Sequence, residues 1–396
     1  MWIRLTLSTA LFVCLISTHA TAQAVYTIRD LGSFSPTAIN TWAQVVGAAN
    51  NHAYIWDNLR GLRDLGTLPG GTFSAATDIN DLGRVTGSAD APTTVINWYP
   101  PPATLQCTEL TQPFIWKHRN GMSGLADPTS YPHTPPIFPC QVPLTATSLS
   151  LTGQVVGWTH FYQATYQWGF VWTKSGGMSA FGGSWTPTFI NQISNIGEIV
   201  GQNSQDSDSG GLRTMYLGHA TTWKNGVATD LGTLGGAADM GYPYGYSSSA
   251  DGVNDLGQVV GWSTTVPLNA LDYGTGYPVH AVLWNSTGGM TDLGTLPGDL
   301  VAVASKINLF GIAIGTSGNT FFFDGWSQPA YVTGHPFVWT ASSGMLDLNT
   351  LINASSGWTL NSVTDINVWG QIVGQGTLNG QPHGFLLTPQ NPFQLF

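Results

Sequence analysis

One unit recurs seven times along the chain, at a spacing of 40 to 70 residues, and that period restricts the chain to a repeat architecture before any residue is asked about chemistry. The fifth copy shows it best. It runs Val253-Asn254-Asp255-Leu256-Gly257-Gln258-Val259-Val260-Gly261-Trp262, then His280-Ala281-Val282-Leu283-Trp284, then Gly289-Met290-Thr291-Asp292-Leu293-Gly294. The other copies open on Ile39, Ile79, Leu149, Ile193, Ile307 and Ile366, each followed by Asn except where Ser150 and Ser194 stand. Their Val-Val-Gly steps, or variants of them, end on Gly47, Gly87, Gly157, Gly201, Gly315 and Gly374. An aromatic segment then ends on Trp56, Trp116, Trp172, Trp223 and Trp339, with Leu387 in the last copy.

Each copy reads as four short strands, a to d. Apolar residues alternate over four to six positions between Gly and Asn-Asp punctuation, and helical periodicity is absent. The a-to-b link is Asn-Asp-Leu-Gly or a near variant, a tight turn whose Gly supplies a positive φ. The c-to-d link is equally short. Four-stranded units of this length are the blades of propellers. The two ends of the chain complete the pattern. Tyr26-Thr27-Ile28-Arg29-Asp30-Leu31-Gly32 is a d strand with nothing before it, and the last copy supplies a, b and c with no d after them. The expected fold is therefore all-β: a seven-bladed β-propeller of four-stranded blades, its ring closed by strands shared between the N- and C-termini. Closure of this kind removes the open edges of a linear array. A β-solenoid is the alternative, less tolerant of uneven repeat spacing. A ring of repeats also escapes the usual ceiling on core size, so residues 25–396 are expected to form one domain.

Residues 1–24 stand outside the repeats. Arg4 precedes an apolar stretch from Leu5 to Ile16, and Ala22-Gln23-Ala24 is a small-x-small cleavage site, the pattern of a secretory signal peptide. Cys14 follows Val13 rather than the small residue that a lipoprotein signal needs, so no lipid anchor is expected. No other segment approaches the length of a membrane span. A secreted, extracellular or periplasmic protein is expected, and a monomer. Removal of the signal leaves Cys107 and Cys140. In a propeller the b-to-c and d-to-a loops emerge on one face. Cys107 lies in a b-to-c insertion and Cys140 in the following d-to-a loop, so a disulfide between them is plausible in an oxidising compartment; two independent thiols are the alternative.

Length variation concentrates in those same two loop classes. Insertions run from about Asp90 to Thr111, Pro128 to Pro143, Asn203 to Gly218, Ser263 to Val279 and Gly318 to Gly334. One face is thus built of tight turns and the other of long loops over a rigid scaffold, where binding sites concentrate.

His52-Ala53-Tyr54-Ile55-Trp56, with Asp64-Leu65-Gly66-Thr67-Leu68-Pro69-Gly70-Gly71 and Asp230-Leu231-Gly232-Thr233-Leu234-Gly235-Gly236, resembles the repeat of the bacterial extracellular HAF-repeat family. The resemblance spans essentially the whole chain after residue 24. It implies an exported repeat protein and brings no catalytic residues with it. Some relatives end in a sorting helix with a basic tail; this chain lacks one, which favours free secretion or the periplasm.

The repeated His52, His219, His280, His335 and His383 occupy one position in five blades and so cannot converge on one metal ion; a hydrogen bond within each blade is the expected role. The repeated Asp30, Asp64, Asp230, Asp292 and Asp347 follow the same reasoning, and the Trp residues ending strand c are expected to pack between blades. Asp208-Ser209-Gly210-Gly211 lacks the triad context of a protease. Asp206 and Asp208, spaced with a Gly, make a candidate calcium loop without its distal bidentate Glu, so calcium is a possible ligand and no other cofactor is expected.

Residues that the scaffold does not require are better ligand candidates. Trp98, Tyr99, Tyr131, Phe161, Tyr162, Tyr242, Tyr244, Tyr273, Tyr277 and Trp326 lie in or beside the long loops, as do Tyr166 and Tyr331. Aromatic rings among Asn, Gln, Asp and Ser suit the CH faces and hydroxyls of sugars; the competing role is pinning the loops to the ring. Two functions follow. One is a non-catalytic binding module that presents its long-loop face to a glycan or another exported protein. The other is a secreted polysaccharide hydrolase or lyase using loop carboxylates near the axis, such as Asp206, Asp208, Asp272, Asp299 or Asp324, which would need a positioned pair. A net charge of −10 disfavours nucleic acid, whose phosphates require clustered Lys and Arg. No phosphate-cradling Gly loop opens a helix.

Overall fold

Seven four-stranded antiparallel blades stand around one axis, five as separate sheets and two joined into an eight-stranded sheet by a single parallel pairing of Val279 with Val301. The computed structural model describes residues 25–90, 94–97, 104–107, 111–125, 144–160, 167–181, 188–204, 218–235, 244–266, 268–269, 278–322 and 331–391. Blade 1 comprises strands a (Ser35–Ile39), b (Val45–Ala49), c (His52–Asp57) and d (Gly61–Asp64). The a strands of blades 2 to 7 are Ser74–Ile79, Leu144–Leu149, Thr188–Ile193, Ser248–Val253, Val301–Ile307 and Trp358–Ile366. Each a strand lies beside the a strands of both neighbouring blades, and this succession returns from blade 7 to blade 1. Strand a is therefore innermost and strand d outermost, and the ring is closed.

The closing blade is composite. Strand Tyr26–Asp30 pairs antiparallel with Gln381–Pro389, from Tyr26 opposite Pro389 to Asp30 opposite Phe385. It supplies the fourth strand that the C-terminal copy lacks.

The hydrophobic core is a set of layers between blades. One layer packs Ala38, Val46 and Ile55 of blade 1 against Ala76, Ile79 and Phe114 of blade 2; another packs Val200 and Ala220 of blade 4 against Ala250 and Val259 of blade 5. The layer that closes the ring joins Val373 and Leu386 of blade 7 to Ile39, Val45 and Trp56 of blade 1. The Trp residues ending strand c all sit in these layers, as expected: Trp56, Trp116, Trp172, Trp223, Trp284 and Trp339.

Two recurring devices explain the sequence motif. Every a strand carries a bulge at the same place, one residue inserted against strand b: Thr37, Thr77, Thr147, Asn191, Asp251, Ser305 and Thr364. The bulge brings the a-strand backbone onto the glycine of the Val-Val-Gly step. A Cβ at Gly47 would overlap the Ser35 carbonyl, and one at Gly261 the Ser249 carbonyl, so this glycine is needed for room. The Asn after Ile is the second device. Asn308 accepts from the Phe310 and Ile312 N–H groups at 3.0 Å, closing its own turn, and its amide donates to the Asn367 carbonyl of the next blade at 3.2 Å. Asn40, Asn80, Asn254 and Asn367 likewise donate to a carbonyl of the following blade's turn. Ser150 and Ser194 close their turns through the hydroxyl, which accepts from Gln154 and Glu198 N–H at 3.1 Å.

The long insertions are partly strand. That of blade 6 continues its hairpin to Phe322 and back from Tyr331, and Phe321 packs edge-on against Trp262 of blade 5 at 5.1 Å. The insertion in blade 2 holds a hairpin of Thr94–Asn97 with Thr104–Cys107.

Candidate functional site

On the long-loop face each c strand begins, and each d strand ends, beside its partner, so the repeated His meets the repeated Asp of its own blade. The Nδ1-to-carboxylate distances are 2.7 Å for His52–Asp64, 2.9 Å for His219–Asp230, 2.9 Å for His280–Asp292 and 2.8 Å for His383–Asp30. The same carboxylates accept the N–H of the following Asp-Leu-Gly glycine, at 2.7 Å from Gly66 and 2.8 Å from Gly232. The expected within-blade hydrogen bond is present in these four blades. It ties strand c, strand d and the exit turn together.

Blade 6 departs from this pattern. Asn349 replaces the glycine, and its backbone N–H and side-chain amide both donate to Asp347 Oδ1, at 2.8 and 3.2 Å, at the start of a 3-10 turn over Leu348–Thr350. Asn349 Oδ1 then accepts from Leu360 N–H and its Nδ2 donates to the Leu360 carbonyl, bracing blade 7. His335 lies instead 3.8 Å from Asp299, whose carboxylate also accepts from the Ser317 hydroxyl at 2.8 Å. Beside these residues lies a cavity of about 370 Å³ between blades 6 and 7, lined by His335, Asp347, Asn349, Asn353, Trp358 and Thr359 among others. Trp358 is half-buried and held edge-on by His383 at 6.2 Å and Phe385 at 6.0 Å. The cavity therefore combines a braced indole with imidazole, carboxylate and amide groups.

A second polar group lies at the inner edge of the ring. Asp365 accepts the Ile39 N–H at 2.8 Å, and Asp78 accepts the Leu149 N–H and the Ser148 hydroxyl at 2.9 and 2.7 Å, each reaching the next blade's a strand. Asp251 accepts from Ser249 and Asn191 at 2.7 and 3.0 Å. Burial pushes the Asp251 and Asp365 carboxyls up to about 7, and the Lys306 ammonium between them pulls each part of the way back. Asp78, two blades from Asp365, raises it further across the axis.

Most residues singled out in the sequence lie outside the described residues. These are Trp98, Tyr99, Tyr131, Phe161, Tyr162, Tyr166, Tyr242, Tyr273, Tyr277, Trp326, Asp206, Asp208, Asp272, Asp324 and Cys140. Cys107 ends the short strand in the blade 2 insertion. Tyr244 begins a two-residue strand that pairs with Leu268–Asn269, fastening two long loops together. Asp299 braces Ser317 and approaches His335. Asn349, Trp358 and the axial Asp78, Asp251, Lys306 and Asp365 were not singled out. Their signal was departure from the repeat: a charge where most copies carry small or neutral polar residues, and at Asn349 an Asn where they carry Gly. Among the described residues, no three His, Cys, Asp or Glu side chains gather as a metal site would require, and no helix is long and apolar enough to cross a membrane.

The fold and site are those of a closed seven-bladed β-propeller with long loops on one face. No family model matches the sequence, and no curated protein matches it. Solved propellers resemble it in outline. A virginiamycin B lyase of Staphylococcus aureus shares 9% identity over 92% of this chain and 99% of its own, with a TM-score of 0.44. An oligogalacturonate lyase solved with manganese shares 9% over 94% and 96%, with a TM-score of 0.46. The β-propeller domain of the trilobed protease of Pyrococcus furiosus shares 9% over 91% and 95%, with a TM-score of 0.44. Likeness at this level is one of architecture alone and says nothing of activity.

Proposed function

We propose that the protein is an exported, non-catalytic binding module of the HAF-repeat type, and that its long-loop face takes a glycan. The observation that carries this reading is the cavity between blades 6 and 7, where Trp358 offers an aromatic face beside Asp347, Asn349, Asn353 and Thr359. Sugars present CH faces and hydroxyls to such a combination, and a concave site with few convergent polar groups is the usual form of a small-ligand site. The pinned geometry of Trp358 and the double hydrogen bond of Asn349 to Leu360 preorganise it. Export rests on the signal-like residues 1–24, and a Cys107–Cys140 disulfide would belong to the same compartment.

The test is a glycan array screened with the purified protein, with every bound oligosaccharide afterwards analysed by mass spectrometry, with and without calcium. Binding without turnover, lost at least about tenfold in Trp358→Ala through the missing ring, supports the reading. Cleavage of the bound sugar would replace it with a hydrolase or lyase. Absence of any glycan signal, with capture of an exported protein through the same cavity, would replace the ligand class.

A further inference from the structure

The opposite, tight-turn face carries apolar side chains that its turns do not require. Each a-to-b turn is closed by its Asn or Ser and by a positive-φ residue, Gly in six blades and Ala43 in the first, which leaves the tip residue unconstrained. The tips are nevertheless large and apolar all round the ring. Trp42 is 72% exposed, Phe310 57% and Trp369 56%, and Leu82, Ile196 and Leu256 are exposed likewise; Leu151 takes the place in blade 3. Equivalent turns of a closed ring stand at one height, so the tips form a flat annulus around the channel mouth. Both Trp rings turn their polar atom inward: Trp42 Nε1 donates to the Asp81 carbonyl at 3.0 Å, and Trp369 Nε1 to the Thr41 carbonyl at 3.1 Å. What remains outward is apolar. An exposed apolar patch of this extent, rimmed by polar groups, marks an interaction surface.

Charge identifies the occupant. The c-to-d turns lie outside this annulus on the same face, and they carry Arg60, Lys117, Arg119, Lys174 and Lys224, with Arg84 in an a-to-b turn. The repeated Asp30, Asp64, Asp230 and Asp292 all stand at the other end of the blades. Among the described residues four acids share this face, but Arg63 pairs Asp57, the buried Glu198 lies beside Lys224, and Asp81 and Asp255 each accept a backbone N–H of the preceding blade's turn. In a chain of net charge −10, the balance on this side is therefore cationic around blades 1 to 4. Between blades 4 and 5 a groove of about 320 Å³ runs from Ile196 and Leu256 at the annulus past Asp255 to Lys224 at the rim, whose ammonium lies 3.7 Å from the buried Glu198. We propose that the tight-turn face docks on an anionic lipid surface. The flat apolar annulus enters the interfacial layer, where indole rings are favoured, and the basic arc meets the headgroups. Face-to-face pairing with a second copy would set these cations against one another.

Vesicle flotation tests this, using pure phosphatidylcholine and phosphatidylcholine with one third phosphatidylglycerol. The protein should float with the anionic vesicles at low salt, stay behind with the neutral ones, and be released as salt rises. Trp42→Ser/Phe310→Ser/Trp369→Ser should weaken flotation at least about tenfold by loss of inserted apolar surface. Lys117→Glu/Arg119→Glu/Lys174→Glu should weaken it by about fivefold or more per site. Both sets sit at or beside exposed turns, so far-ultraviolet circular dichroism spectra should overlay the parent, with the melt of the first set lowered only slightly by loss of two exposed indole hydrogen bonds, and glycan binding on the other face should persist. The proposal fails if the parent does not float with anionic vesicles at low salt, or if neither variant changes flotation. It also fails if sedimentation velocity without lipid shows stacks that both variants dissolve, which would make the acidic long-loop face of a second copy the partner.

Discussion

The buried Asn that follows five of the seven a strands does at residue scale what a clasp does between staves. Its oxygen holds two turn N–H groups and its amide crosses to the next blade, so one side chain satisfies groups of two blades at once. Asn308→Ala would leave the Phe310 and Ile312 N–H groups without their acceptor and take one of two donors from the Asn367 carbonyl, which keeps the Gly370 N–H, at a cost of about 2–4 kcal/mol. Asn308→Ser keeps an acceptor for the turn, as Ser150 and Ser194 do in blades 3 and 4, and should cost about 1 kcal/mol. Urea melts of the pair check this; equal losses would remove the turn from the account. Gly261→Ala, placing a methyl on the Ser249 carbonyl, should cost about 1–3 kcal/mol through forced backbone movement. Ile-Asn and Val-Val-Gly were legible in the sequence as repeats. Their reasons were not, because the Asn acceptor lies in the next blade, 59 positions away for Asn308, and the glycine answers to a bulge in another strand.

At the scale of the element, strand a is the least repetitive part of the blade, and its departures are charged. The Thr, Ser and Ala of most copies cover the inner edge at little cost, whereas Asp251, Lys306 and Asp365 place charges in a crowded channel. In the sequence, variation is plain in the loops, whereas these strand positions look like scaffold because the alternation around them is regular. With native carboxyls pushed up to about 7 and unfolded ones near about 3.9, the native state holds more protons between about pH 4 and 7. Stability should therefore fall as pH rises through that window and level off above it. Asp57 and Asp90 act in a different window. Burial pushes both up, but backbone N–H groups, helped by Arg63 at Asp57 and the Thr72 hydroxyl at Asp90, hold them below the usual carboxylate range. Their contribution is full above that range and is lost only below about pH 4. Thermal melts from pH 4.5 to 8 should show a declining Tm, and Asp365→Asn, which keeps an acceptor for the Ile39 N–H, should flatten the decline. A Tm that climbs over this range, unchanged by the substitution, would contradict the assignment.

At the scale of the whole molecule, closure was the most legible feature, since an orphan d strand at one end and a missing d strand at the other point to one composite blade. The cavity between blades 6 and 7 was not legible, because its lining joins residues of two blades, His335 and Asn349 with Trp358 and Thr359, that only the packed ring brings together. Closure concentrates stability at the join. Tyr26 is 1% exposed and packs with Leu360, Phe385 and Leu387 in the layer between blades 6 and 7, while Asp30 of the same strand holds His383 at 2.8 Å. Tyr26→Ala should cost about 3–5 kcal/mol, as truncation of a buried aromatic does. Tyr26→Phe removes a hydroxyl with no hydrogen-bond partner among the described residues, and should leave stability unchanged or raise it. Removal of the whole strand Tyr26–Asp30 would add an effect that neither substitution has. It exposes the edge of Gln381–Pro389, a row of unpaired backbone groups ready to pair with another chain. Light scattering should then show concentration-dependent association that Tyr26→Ala, with the strand still in place, does not produce. If the shortened protein melts like the parent and stays dispersed, the ring is held by its inter-blade layers alone and the terminal strand is a cover rather than a closure.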